Sequence, residues 1–232
     1  MKYNFYFNNN YFNIYNSLFP DSRSEEEVKF LTKFVPNKKA RVLDLGCAWG
    51  RHLKVLAKLG YKDLTGVDYA EELLEKARIN LKGYKVEFVN YDFVSFKFDK
   101  PFDYIFQLFQ AFGHETIDYD KKNIQNAANN LVKGGIYLLD LRNPDKLLKM
   151  ESFDLPSEIK IVPSLLNNGK RFKFTYFMKD KEEEIECNIY SRDELKNMFE
   201  EAGLRVTDVY GDYKGNKYTT DSERLILVGK KM

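Results

Sequence analysis

The sequence predicts an α/β protein: a doubly wound, mostly parallel sheet of about seven strands, with a small β-rich insert before the last helix. Three observations predict it. Between Arg41 and Leu141, short apolar runs alternate with amphipathic helical patterns, as expected of strands joined by helices that cover both faces of a sheet. The first apolar run leads directly into a glycine turn, Asp44-Leu-Gly-Cys-Ala-Trp-Gly-Arg-His52. Past residue 150 the helical period gives way to strand-like patterning, and then one helix and two apolar runs return. The 232 residues are enough for one such core with an appendage.

The elements follow in order. The first sixteen residues carry seven aromatic side chains, Tyr3, Phe5, Tyr6, Phe7, Tyr11, Phe12 and Tyr15, among asparagines. They show no clear period, but that much aromatic surface is costly to leave in water. An arm or short helix that folds back over the domain is expected. Ser22-Arg23-Ser24-Glu25 opens a helix. Arg41–Leu45 reads as a buried strand, and a helix over Gly50–Leu59 puts Leu53, Leu56 and Ala57 on one face, with Gly60 as its stop. Leu64–Asp68 is the second strand, and Leu73, Leu74, Ala77 and Leu81 mark the next helix. Val86–Asn90 and Phe102–Leu108 are the third and fourth strands. A helix from about Asp120 aligns Ile124, Ala127, Ala128 and Leu131. Lys133-Gly134-Gly135 is expected to end it, before a fifth strand over Ile136–Leu141. In the insert, strands Arg171–Lys179 and Glu183–Tyr190 flank a polar turn at 179–182, a hairpin too short to bury much core alone. Ser191-Arg-Asp-Glu194 is a capping box, opening a helix with Leu195, Met198, Phe199 and Ala202 on its apolar stripe. Arg205–Tyr210 and Arg224–Gly229 complete the sheet.

Composition narrows the function. Basic residues number 37 and acidic 35, a net charge of +2, which gives no reason to expect a nucleic-acid or membrane surface. No apolar run has membrane-spanning length, and the N-terminus lacks the apolar core and cleavage site of a secretory signal. Cys47 and Cys187 cannot build a disulfide framework and form no Cys-x-x-Cys pair. A reducing, cytoplasmic setting and no metal are expected.

In an open α/β sheet, ligands bind beyond the C-terminal ends of the strands. A dinucleotide fingerprint would read G-x-G-x-x-G there. This turn reads Gly46-Cys47-Ala48-Trp49-Gly50-Arg51, with Ala48 and Arg51 in place of the later glycines and Trp49 crowding a pyrophosphate. The observed spacing, D-x-G-x-A-x-G, sets Asp44 two residues before the first glycine, which suits a ligand that presents a cation. Asp68 ends the second strand, 24 residues after Asp44, where a carboxylate can accept from both ribose hydroxyls. Tyr91-Asp92-Phe93 follows the third, with an acid for an adenine amine and a ring for its face. Three carboxylates along one edge fit an adenosine ligand without phosphates, such as S-adenosylmethionine (SAM).

These stretches resemble the class I SAM-dependent methyltransferases over nearly the whole chain, most closely a group that acts on small molecules. Val42-Leu-Asp-Leu-Gly-Cys-Ala-Trp-Gly-Arg-His52 looks like their glycine motif, with Ala48 for a glycine. Leu64-Thr-Gly-Val-Asp68-Tyr69 looks like their ribose strand, Val86–Phe93 like their adenine turn, and Leu131–Asp140 like the helix end and strand after the catalytic segment. The resemblance implies a Rossmann-like domain over 41–150 and 191–232, a lid over 1–40, and an insert at 151–190 above the acceptor. It implies SAM as cofactor and a small-molecule methyl acceptor at N or O. The expected cofactor contacts are Tyr11, Arg23, Asp44, Gly46, Cys47, Ala48, Gly50, His52, Asp68, Tyr69, Asp92, Phe93 and Gln107.

Each residue also has a plainer role open to it. Asp68 can cap the following helix, Asp92 can be a turn acid, and Asp44 can order the glycine turn or reach the ligand's ammonium through water. Arg23 pairs either with the cofactor's carboxylate or with Glu26 or Glu27. His114, after the fourth strand, is the candidate catalytic base, with Glu115 behind it; otherwise His114 shapes the pocket. Nucleic-acid or protein methylation, SAM binding without turnover, and nucleotide-dependent oxidoreduction are the competing functions. The Gln107-Leu-Phe-Gln110 strand end lacks the Asn/Asp-Pro-Pro run of base-amine methylation, and neither cysteine follows a proline.

Overall fold

A computed structural model describes residues 9–155 and 158–232. The chain enters through α1 (Asn9–Tyr15), a 3-10 turn over Asn16–Leu18, and α2 (Asp21–Leu31). Strand–helix alternation then runs through β1 (Arg41–Leu45), α3 (Arg51–Lys58), β2 (Asp63–Asp68), α4 (Glu71–Asn80), β3 (Val86–Asn90), β4 (Phe102–Gln107), α5 (Ile117–Asn129) and β5 (Leu131–Arg142). A single turn of helix, α6 (Pro144–Leu147), leads to β6 (Phe153–Leu155), β7 (Ile159–Leu166), β8 (Arg171–Met178) and β9 (Lys181–Asn188). The chain ends with α7 (Arg192–Glu201), β10 (Leu204–Tyr210) and β11 (Arg224–Lys231).

Seven strands form the main sheet in the order β10-β11-β5-β4-β1-β2-β3. The five from β3 to β5 are parallel, and β11 and β10 add antiparallel. Alternation along the strands builds two cores. Leu43 and Leu45 of β1 join Ile124, Ala127, Leu195 and Phe199 on one face, and Val42 joins Val28, Leu53, Leu56 and Leu74 on the other. The capping box forms as expected: Ser191 Oγ accepts from the Glu194 amide and Glu194 accepts from the Ser191 amide at 2.8 Å.

Two expectations need correcting. The helix expected to run to Lys133 stops at Asn129, and Leu131 is already a strand residue opposite Phe102. Asn130 ends the helix by turning its side-chain amide onto the Phe96 and Asn126 carbonyls. Gly134-Gly135 lie inside β5, where the register against β4 shifts; a Cβ on Gly135 would meet the Asp103 carbonyl oxygen at 3.0 Å. The insert is a four-stranded antiparallel sheet, β6-β7-β8-β9, not one hairpin. Met178 pairs directly with Lys181, so the turn is Lys179-Asp180 alone. Pro163 hid β7 from the sequence; it is tolerated because β6 pairs only with Ile159–Ile161, leaving that side of Pro163 without a ladder neighbour.

The inner face of this second sheet, with Ile161, Phe172, Phe174, Tyr176 and Ile185, packs against Tyr15, Phe19 and Trp49. The aromatic arm therefore supplies core that the insert lacks. Residues 1–8, with the first four aromatics, lie outside the described part. The sheet is tied down at one corner by Asp120, which is 1% exposed and accepts from Tyr190 Oη at 2.6 Å, Asn188 Nδ2 at 2.7 Å and the Gly113 amide. Among the described residues no helix is long and apolar enough to cross a membrane.

Candidate active site

The C-terminal ends of β1, β2, β4 and β5 open into a cleft of about 1120 Å³, its open mouth included, roofed by the four-stranded sheet and α1. Its floor is the glycine turn. The Gly46 and Cys47 amides both donate to the Val67 carbonyl, and the Ala48 amide donates to Asp68 Oδ2 at 2.8 Å. Gly46 has a φ of +82°, and a Cβ there would lie 2.5 Å from that of Ala111. Only glycine fits. Ala48 also sits in the left-handed region, at φ +46°, a conformation that costs a non-glycine residue about 1 kcal/mol.

Asp68 is 5% exposed and lines the cleft. Its other oxygen accepts from the Ala70 amide at 2.9 Å, so it orders the start of α4 as well. Burial pushes its carboxyl up to about 6 against those amides, with Asp44 adding to the rise. Tyr69 and Phe93 meet edge to face on the same side, with centroids 5.4 Å apart. Asp92 is not among the residues that line the cleft: it is exposed, accepting from Tyr119 Oη at 2.7 Å and the Val94 amide. Gln107 also lies beneath the cleft, held between Tyr137 Oη and the Ala111 carbonyl.

A buried charge cluster supports the turn from α2 and α3. Glu27, 2% exposed, is contacted by Arg23 Nε at 3.1 Å, by His52 Nε2 at 3.0 Å and by Arg51. Burial opposes its charge, but His52 and Arg51 hold it well below the usual carboxylate range. Burial and Arg51 press His52 down, and Asp44 and Glu27 outweigh them to raise it. Arg23 is thus engaged by Glu27 and faces a neighbouring crevice, whereas Arg51 lines the cleft itself. Arg51 Nη2 and Asp44 Oδ2 are buried polar atoms without a hydrogen-bond partner; the nearest charged group to the latter is His52 Nδ1 at 3.7 Å. Arg51 is not among the expected cofactor contacts, since along the sequence it counts only as the residue that replaces the third glycine of the dinucleotide fingerprint; the fold sets it in the cleft lining. Tyr11 lies in α1, and its side chain is outside the described part.

Beyond β4 the chain makes a strained corner. Phe109 and Gln110 have φ of +56° and +65°, costly for non-glycine residues. Asp140, fully buried on β5, pins this corner: its carboxylate accepts from the Phe109 amide at 2.9 Å and from Tyr213 Oη at 2.7 Å, and takes both arms of Arg224 at 2.7 Å. His114 follows, with Nε2 at 2.7 Å from the Gln110 carbonyl and Nδ1 at 3.2 Å from that of Glu186 in the roof. Burial lowers its imidazole below the usual value against the pull of those carbonyls. Tyr15 Oη meets Tyr176 Oη at 2.7 Å, joining α1 to the roof.

SAM fits what the cleft offers. Its methionine part is a zwitterion, and beside the glycine turn lie a buried Arg51 nitrogen without a hydrogen-bond partner and the Asp44 carboxylate, whose Oδ2 meets His52 Nδ1 at 3.7 Å. A pyrophosphate finds instead Asp68 and the Trp49 ring, which packs at 5.4 Å against Phe12. Comparison with known proteins agrees. Residues 42–135 match the family model described as a methyltransferase domain. The cypemycin N-terminal methyltransferase of a Streptomyces species is 25% identical over 217 residues, covering 87% of each chain. A SAM-dependent methyltransferase structure from Clostridium acetobutylicum superposes with a TM-score of 0.78 at 20% identity, over 89% of this chain and 91% of that one. The SAM-bound amino pentose methyltransferase CalS10 of Micromonospora echinaspora gives 0.61 at 18% identity, over 91% of each chain. The two structures share the fold.

Proposed function

The chain is a class I SAM-dependent methyltransferase, and from that premise we propose that it methylates a nitrogen or oxygen of a small-molecule acceptor in the cytoplasm. The observation that carries the acceptor class is the roof: four strands and an aromatic helix close over the cleft with Phe174, Tyr176, Ile161 and Ile185, leaving room for a compact molecule rather than a folded chain or duplex. CalS10 is named for an amino pentose, a compact molecule that carries nitrogen and oxygen, which supports the same reading.

Bound SAM supplies an electrophilic methyl on a sulfonium. Asp68 would accept from the ribose hydroxyls, Tyr69 and Phe93 would line one side of the adenine, and the glycine turn would carry the methionine part. Arg51 Nη2 would pair with its carboxylate, and Asp44 would reach its ammonium through water. The Phe109 corner and the roof exclude water from the transfer path, so the in-line approach is set by positioning. His114 is the candidate base: burial keeps the ring neutral at rest, and because both ring nitrogens face backbone carbonyls, one of these contacts has to open before that nitrogen takes the acceptor's proton.

A panel of primary amines, amino sugars, phenols and alcohols with methyl-labelled SAM tests the reading, with RNA, peptide amino termini and protein extract as further arms. Label in at least one small acceptor and none in the macromolecules is expected. Label only in RNA or protein would replace the small-molecule assignment.

A further inference from the structure

We propose that Arg142 recognises an anionic group of the methyl acceptor, a carboxylate or a phosphate; this deepens the small-molecule reading above and rests on it. Arg142 ends β5 and lines the cleft beneath the roof. Every other charged side chain that lines the cleft is engaged. Arg51 and His52 share Glu27, Asp68 accepts two amides, and His114 lies between two carbonyls. The Arg142 guanidinium makes no hydrogen bond or ion pair with any described residue, and lies 5.7 Å from the Phe174 ring centroid. Residues 1–8 and 156–157 contain no Asp or Glu.

The neighbouring charges are committed elsewhere. Asp140 takes Arg224 in both arms, Glu186 and Asn188 take Arg171, and Glu223 turns outward to Lys146 at 3.1 Å. A partly buried cation among aromatic rings, with no counter-charge, is costly unless a ligand supplies one. The guanidinium fork matches a carboxylate or a phosphate in two parallel hydrogen bonds.

Sheet order assigns this anion to the acceptor rather than the cofactor. Along the ligand edge the strands run β3, β2, β1, β4, β5. Asp68 and Phe93 follow β2 and β3, and the glycine turn follows β1. The β4 corner at Phe109 comes next, and Arg142 lies beyond it. The cofactor's carboxylate falls to Arg51 on the near side of that corner.

The test uses the full chain saturated with S-adenosylhomocysteine and titrated by calorimetry. One arm compares benzoate with benzamide, the other glucose 6-phosphate with glucose. The wild type should bind at least one of the anions and prefer it to its neutral counterpart, and the arm that binds tells carboxylate from phosphate. Arg142→Gln should weaken that binding about ten- to a hundred-fold, and Arg142→Lys should retain part of it. Both variants should keep their affinity for S-adenosylhomocysteine, which also reports that they fold. No preference for either anion in the wild type overturns the proposal. So does undiminished anion binding in Arg142→Gln, or a parallel loss of S-adenosylhomocysteine affinity, which would give Arg142 to the cofactor. Failure of the methyl-transfer reading looks different: Arg142-dependent anion binding would persist while no small acceptor took label.

Discussion

Asp68→Asn separates ligand recognition from fold stability at one position. The substitution keeps the shape of the side chain and removes its charge. In the folded protein the Asp68 carboxyl is raised from 3.8 to about 6. A raised acid is stabilising below its unfolded value, and that contribution is lost as pH rises through the folded one. At pH 7 the buried charge therefore costs about 3 kcal/mol relative to a neutral side chain. Asparagine escapes that cost but has a single accepting oxygen: of the Ala48 and Ala70 amides, which stand 2.8 and 2.9 Å from the two carboxylate oxygens, one then faces an NH2 group and loses its acceptor, at about 1–3 kcal/mol. The two nearly offset, so the unliganded melting temperature at pH 7 should not fall and can rise. The ribose hydroxyls lose a charged acceptor, which should weaken S-adenosylhomocysteine binding about ten- to a hundred-fold. Differential scanning calorimetry and titration calorimetry read the two quantities. Wild-type affinity should also weaken as pH falls from 7 through 6 to 5, and that slope should be absent in Asp68→Asn. A variant that melts far lower yet binds as tightly as wild type would refute the reasoning and leave Asp68 as a helix cap only.

Three further outcomes are expected. His114→Gln should lower turnover about a hundred-fold at saturating acceptor with S-adenosylhomocysteine affinity kept; wild-type turnover would leave His114 as a shaping residue. Ala48→Gly should raise the melting temperature by about 1–3 °C, because it relieves the left-handed strain at φ +46° by slightly more than the unfolded chain gains in freedom; a lower melting temperature would show that the methyl contributes packing. Trp49, the sole tryptophan and 5% exposed in the cleft wall, should change its red-edge-excited fluorescence saturably with SAM or S-adenosylhomocysteine and little with NAD; a saturable NAD response with none to SAM would contradict the cofactor assignment.

The sheet was legible because its strands are short apolar runs separated by turn residues, so β1 and β3 fall where those runs do. Spacing placed Asp44 on β1 and Asp68 at the end of β2; Asp68 lines the cleft, and Asp44 is not among the lining residues. What sequence spacing does not carry is partnership across the fold. Asp140 meets Arg224 across 84 positions and Asn188 meets Asp120 across 68, so neither the pinned Phe109 corner nor the anchored roof announces itself. Along the sequence Arg23 can reach either the cofactor's carboxylate or Glu26 and Glu27; only the fold gives it to Glu27 and sets Arg51 in the cleft with one nitrogen unpartnered. Asp92 kept its place in the chain but turned to Tyr119. The roof was half read because Pro163 interrupts the strand that doubles its width.

The position of β11 has a consequence for how the molecule comes to exist. The strand between β5 and β10 is built from Arg224–Lys231, which follows β5 only after the insert, α7 and β10. During synthesis, β5 waits with an open apolar edge until Arg224–Lys231 has left the ribosome, and β10 has no partner before then. Arg224 arrives on the same strand, so Asp140 stays an unpaired buried acid and the Phe109 corner stays unpinned for as long. A chain that lacks Arg224–Lys231 therefore keeps an unsatisfied sheet edge at its centre, open to aggregation or proteolysis, rather than being a slightly altered enzyme.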